Sequence, residues 1–169
     1  MDTNKSFFEN ISSAIEKKGI DILRVSVGVV FLWFGFLKFF GSTSAAEEIA
    51  SETISLITFD YLKPEVSMPI LAIVECIIGL GILTKKYMQY IIPVLYFQMA
   101  GTLLPLAIFI DETWSKPFVP TLLGQYIIKN CILISAAIIL GIISKGGKLI
   151  ADPIVARKAK AVEKERENN

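Results

Sequence analysis

The sequence predicts an all-α polytopic membrane protein: a bundle of four transmembrane helices with a short amphipathic helix in the first outer loop. Three observations predict it. Of the 169 residues, 53% are hydrophobic, and they gather into four long blocks separated by short polar stretches. Each block approaches or exceeds the roughly 17–25 residues of helix that a bilayer requires. The basic residues fall almost entirely on alternate sides of those blocks. Polar residues inside the blocks recur at helical spacing.

The four spans are placed at Ile22–Phe40, Met68–Thr84, Gln89–Ile110 and Leu122–Ile143. The first is read as a retained helix and not as a cleavable signal. It is too long for a signal h-region, carries Arg24 and Lys38, and follows about twenty polar and amphipathic residues. Of the 17 lysines and arginines, twelve lie in the segment 1–21, the turn 84–88 and the tail 144–169. Only Lys63 and Lys116 lie in the opposite loops, and Arg24, Lys38 and Lys129 lie within spans. This asymmetry places both termini of a multi-pass membrane protein in the cytoplasm. Three regions follow: a cytoplasmic amphipathic segment 1–21, a transmembrane domain 22–143, and a basic, mixed-charge cytoplasmic tail 144–169.

Phe7, Phe8, Ile11, Ala14 and Ile15 give the first segment one apolar side, which suits the cytoplasmic membrane surface. In the loop 41–67, Ser44 stands three residues before Glu47, as in a capping box, and Ile49, Thr53, Ile54 and Ile57 recur at helical spacing. A short amphipathic helix over the bundle mouth is expected there. The stretch "DETWSKPFVPT" reads as an interfacial connector anchored by Trp114.

Some chemistry is excluded. The chain has no histidine, which removes His-ligated haem, His-dependent triads and most catalytic zinc sites. Cys76 and Cys131 do not form a Cys-x-x-Cys pair, and each reads as a core cysteine. No catalytic residue, metal ligand set or nucleic-acid motif is identified.

Polar residues within the spans carry the functional signal, because ionisable groups at that depth are costly unless they are paired, hydrated or protonated. Arg24, Gly28, Phe31, Gly35 and Lys38 share one face of the first span, within roughly an 80° arc at 100° per residue. The glycines permit close backbone approach. In the second span Ala72 and Gly79 flank Glu75. Glu75 and Lys129 each lie seven residues into a span entering from the outer side, about 10 Å deep. Equal depth and opposite sign predict an ion pair between them. Gln125 and Tyr126 lie one turn above Lys129, and Gln98 shares a face with Gly101, Thr102 and Pro105, where a kink is expected. Lys38, Glu75, Gln98, Gln125 and Lys129 are the expected ligand-binding residues; Arg24, Gly28, Gly35 and Gly79 are the expected structural ones. Three cations against one carboxylate leave an interior excess of positive charge, which suits a quinone carbonyl, a lipid phosphate or a small oxoanion.

The run "RVSVGVVFLWFGFLKF", with its Arg-x3-Gly-x2-Phe-x3-Gly-x2-Lys spacing, resembles the DoxX-like integral membrane proteins. The outer loop, "VECIIGLGIL" and "GQYIIKNCILI" resemble the YkgB-type branch most closely. The resemblance implies a compact inner-membrane four-helix bundle, with relatives linked to quinone-dependent sulfur oxidation and oxidative-stress defence. It therefore implies an accessory or quinone-interacting subunit, working with a protein partner in a redox complex rather than as an enzyme on its own. A small anion transporter, or a membrane scaffold or chaperone without chemistry of its own, remains open.

Cysteine introduced at Ser55 should react with a membrane-impermeant maleimide on intact cells, and cysteine at Ser6 or Asn168 only after permeabilisation. Labelling of the Asn168→Cys variant from outside would overturn the orientation.

Overall fold

The computed structural model describes residues 2–41 and 45–147, with 154, 157, 158, 161 and 162 of the tail. Helix α1 runs from Asp2 to Leu37 and tightens into a 3-10 turn over Lys38–Phe40. It ends on Gly41, whose φ of 64° is the left-handed conformation that closes many helices. The backbone does not break between the amphipathic segment and the first span, so the expected boundary at residue 21 is not a helix end. Thirty-six residues of helix extend about 54 Å, longer than a bilayer's apolar core.

Helix α2, Ala45–Ile57, is the amphipathic helix of the first loop. It packs on α3, α5 and α7. Ile49, Ser51 and Thr53 are buried, whereas Ile57, expected on the same side, is half exposed. The expected Ser44 cap, the apolar side chains proposed for residues 7–15 and most of the tail lie outside the described residues.

Helix α3 is Pro64–Thr84 and α4 is Met88–Leu103. Pro64 opens α3 at a position where its missing N–H has no helical partner to lose. Pro105 acts as the sequence indicates: α4 stops before it, and the chain resumes as α5, Pro105–Ile108, and α6, Ile110–Thr113. The expected connector proves to be a small antiparallel hairpin, β1 Trp114–Lys116 with β2 Val119–Pro120. The Trp114 indole Nε1 donates to the Leu106 carbonyl at 3.0 Å, anchoring the hairpin to α5. Helix α7, Leu122–Ser144, starts at Thr121, whose hydroxyl accepts from the Gly124 N–H at 3.1 Å.

Four helices are long and apolar enough to cross a membrane: Lys18–Phe40, Pro64–Thr84, Met88–Ile108 and Leu122–Ser144, the third being α4 continued into α5. They form a ring in which α1 packs on α3, α3 on α4, α4 on α7 and α7 on α1. The apolar core lies toward the Lys85 turn: Val27 and Phe31 of α1, Ile78 and Ile82 of α3, Ile92 and Leu95 of α4, Ala137 and Leu140 of α7. Toward the α2 end the interior becomes polar.

The α1–α3 seam is the tightest contact, and glycine makes it possible. A Cβ on Gly79 would stand 2.6 Å from the Leu32 nitrogen and 2.8 Å from the Gly28 carbonyl oxygen. A Cβ on Gly35 would stand 2.8 Å from Glu75 Cβ and 2.9 Å from the Cys76 nitrogen. These are backbone and near-backbone atoms, which cannot swing aside. The seam therefore serves the close approach read from Gly28, Gly35 and Gly79.

Gly79→Ala should lower stability in detergent by about 1–3 kcal/mol, because a buried methyl would push two backbones apart. Gly101→Ala, where an added Cβ meets nothing within 4 Å, should raise it by up to about 1 kcal/mol through helix propensity. Chemical denaturation of both variants checks the contrast.

Candidate functional site

Helices α1, α3 and α4 each contribute one polar side chain to a single cluster. Lys38 leaves α1 where the helix tightens into its 3-10 turn. Its Nζ donates to Glu75 Oε2 at 2.6 Å. Both side chains are nearly buried, 11% and 9% exposed. From α4, Gln98 Nε2 donates to the other carboxylate oxygen, Oε1, at 2.9 Å. Both oxygens of Glu75 are therefore engaged, as burial of a charge demands. Glu47 of α2 also lies near enough to act electrostatically on Glu75.

The cluster corrects the expected pairing. Glu75 meets Lys38, not Lys129. Depth alone cannot choose a partner; the direction in which each side chain leaves its helix decides. Gly35 lets α1 close on α3 at Glu75, and Lys38, three residues further on the same face, reaches the carboxylate. Lys129 is exposed on α7, its ammonium 5.0 Å from the centre of the Tyr126 ring. Gln125 is also exposed. Of the five expected ligand-binding residues, three converge and two do not.

Arg24 behaves differently again. Its Nη1 donates to the Ile82 and Leu83 carbonyls, at 3.0 and 2.8 Å, at the end of α3. Those carbonyls belong to the last turn of α3, the negative end of its dipole, where a cation is favoured. Nη2 donates to Asp21 at 3.0 Å, and Lys85 joins the same carboxylate at 3.0 Å. Arg24 thus ties α1 to the end of α3, remote from Glu75. The interior excess of positive charge expected from sequence disappears: Arg24 is met by Asp21 and carbonyls, Lys38 by Glu75, and Lys129 is not inside.

One atom of the cluster is unmatched. Gln98 is 8% exposed, and its Oε1 has no hydrogen-bond partner. Since Nε2 is committed to the carboxylate, Oε1 is left as a buried acceptor, a costly arrangement without a donor. Ser67 of α3, 2% exposed, also has an unpartnered hydroxyl. That residue was not singled out from sequence; a serine one residue before an apolar span carries little signal.

A compact four-helix membrane bundle, pinned by glycines along one seam and holding a buried Lys–Glu–Gln cluster, is the class of protein that fold and site define. The DoxX family profile matches residues 19–110, more than half of the chain, and the chain belongs to the DoxX family. The match covers Lys38, Glu75 and Gln98 but stops before α7. No curated protein and no solved structure matches the chain.

Glu75→Gln and Lys38→Met should each cost about 3 kcal/mol of stability, and the double variant distinctly less than the sum, since each single change strands a buried charge. Glu75→Gln and Lys129→Met should instead be additive. Equilibrium unfolding of the two double-mutant cycles separates the pairings.

Proposed function

We propose that the chain is an accessory, quinone-interacting subunit of an inner-membrane redox or oxidative-stress defence system, of the YkgB-type branch and with both termini cytoplasmic. The observation that carries this reading is the unmatched Gln98 Oε1 beside the Lys38–Glu75 pair. The cluster has no net charge, so the small-anion reading loses the cationic interior that motivated it. What the cluster offers is a mixture of donor and acceptor. Among the described residues Lys38 spends one of its three N–H donors, on Glu75, and Gln98 Oε1 is left to accept.

A quinone-type headgroup fits that set: its carbonyls accept from an ammonium, and its reduced form presents hydroxyls to an amide oxygen. Such a group, when bound, supplies two-electron redox chemistry that these side chains lack. The chain's own residues orient the headgroup, with Lys38 donating to one oxygen, Gln98 accepting at another, and Glu75 holding Lys38 in place. Without histidine or a cysteine pair, electrons must reach the group from a protein partner. A scaffold reading has its own support, because the same cluster links three helices.

A short-chain ubiquinone analogue should quench the intrinsic tryptophan fluorescence of the purified protein saturably. Gln98→Leu should weaken binding about tenfold, the worth of one buried hydrogen bond, and should also lower the melting temperature, because Glu75 Oε1 loses its donor. Absence of saturable binding, with Gln98→Leu changing stability alone, would leave the scaffold reading.

A further inference from the structure

The burial pattern of α1 and α7 indicates that they pack together toward the Lys85 turn and diverge toward the α2 end. On α7, Ala136 and Leu140 lie seven and eleven residues after Lys129, within roughly 20° of its direction at 100° per residue. They are 5% and 2% exposed, whereas Lys129 is exposed. On α1, Val27 and Leu23 lie seven and eleven residues before Phe34, again within roughly 20°. Val27 is 3% exposed and Leu23 packs against the core, whereas Phe34 is 56% exposed. Each helix therefore loses cover along one continuous face on passing toward the α2 end.

The two bared faces look toward each other. The Gly141–Ala137 side of α7 meets α4, where Tyr96 Oη donates to the Ala137 carbonyl at 3.2 Å. The Gly28–Gly35 side of α1 meets α3. The directions that carry Val27 and Leu23 on α1, and Ala136 and Leu140 on α7, are left for the α1–α7 contact, and Phe34 and Lys129 lie exposed along those same directions. Their depths agree. Phe34 is six residues before the end of the 3-10 turn and Lys129 seven after the start of α7, both about 10 Å from the α2-end boundary. This burial pattern implies a cleft between α1 and α7 at the α2 end, open sideways toward lipid. Phe34 and Leu37 form one wall; Leu122, Gln125 and Lys129 form the other.

We propose that this cleft holds one acidic phospholipid, with an acyl chain against Phe34 and the phosphate at the Lys129 ammonium. Charge complementarity selects the occupant. Among the described residues Lys129 meets only the Tyr126 ring, and an ammonium at this depth demands an anion. A hydrophilic anion would have to cross apolar walls, whereas a lipid brings its phosphate on a chain that prefers them. A second copy of the chain fits badly: a two-fold contact through this face brings Lys129 toward Lys129, and the intramembrane carboxylate, Glu75, is already engaged. Lys129 leans over Tyr126, toward the start of α7, which raises its charge toward the headgroup layer. This site is independent of the quinone reading, because neither its walls nor its cation belong to the Lys38–Glu75–Gln98 cluster.

Native mass spectrometry of the protein released from nanodiscs of equal phosphatidylglycerol and phosphatidylcholine provides the test. The wild type should retain one phosphatidylglycerol per chain in preference to phosphatidylcholine. Lys129→Met should lower that retention about fivefold, the factor carried by one basic residue at an acidic headgroup. Lys129→Arg should preserve it, as should Lys63→Met, which removes a loop cation. Equal retention by Lys129→Met, an equal loss in Lys63→Met, no preference between the two lipids, or a lipid-free dimer would each overturn the proposal. Lys129 is exposed, so Lys129→Met should fold; a melting temperature matching the wild type confirms that loss of lipid is not loss of structure.

Discussion

The whole bundle is arranged around the need of one carboxylate. Glu75 sits within an apolar span, where a bare charge would be prohibitive. Two oxygens must find donors, and those donors must come from other helices. Lys38 supplies one from α1 and Gln98 the other from α4. For Lys38 to reach, α1 must lie almost in backbone contact with α3, and that contact exists because Gly28, Gly35 and Gly79 carry no side chains. The small-residue seam and the buried pair are therefore one device: the seam sets the distance, and the pair fixes the rotation of α1 about its axis. Arg24 holds the far end of the same seam on the carbonyls that close α3.

That device divides the interior into two unlike halves. Toward the Lys85 turn, isoleucine, leucine and alanine from four helices pack into a dry core. Toward the α2 end the same helices present the polar cluster, and α1 and α7 no longer cover each other. Pro105 contributes to this change, because α4 ends there and the chain turns through α5, α6 and the hairpin. α2 packs on α3, α5 and α7 at that end. The polar cluster thus lies toward the α2 end of the bundle, and the dry apolar core toward the other.

Neutralisation within the cluster changes what it can recognise. An excess of lysines would attract anions indiscriminately. In the proposed site, a lysine already balanced by glutamate, with an amide oxygen left over, would discriminate by hydrogen-bond geometry instead, because a headgroup would have to both accept and donate to match it. Lys129 stands apart from the cluster, exposed on α7.

The sequence by itself determined the number and approximate limits of the spans, the amphipathic α2, the break at Pro105 and the glycine seam. Each follows from local physics: length of apolar run, periodicity, a missing N–H, a missing Cβ. It also marked Lys38, Glu75 and Gln98 as residues that need partners. The tertiary structure alone decided who partners whom. Lys38 and Lys129 were both admissible for Glu75 by sign and by reach along the membrane normal. Which one meets it depends on neighbour order in the ring and on the turn of each helix about its axis, and depth carries neither. The hairpin at Trp114–Pro120 was illegible for a related reason: five residues of strand have no periodicity to read, and their pairing rests on a tryptophan reaching back to Leu106. The exposure of Lys129 was hidden too, since it shares its helical direction with Ala136 and Leu140, which are buried, and only the packing of the whole bundle leaves it uncovered.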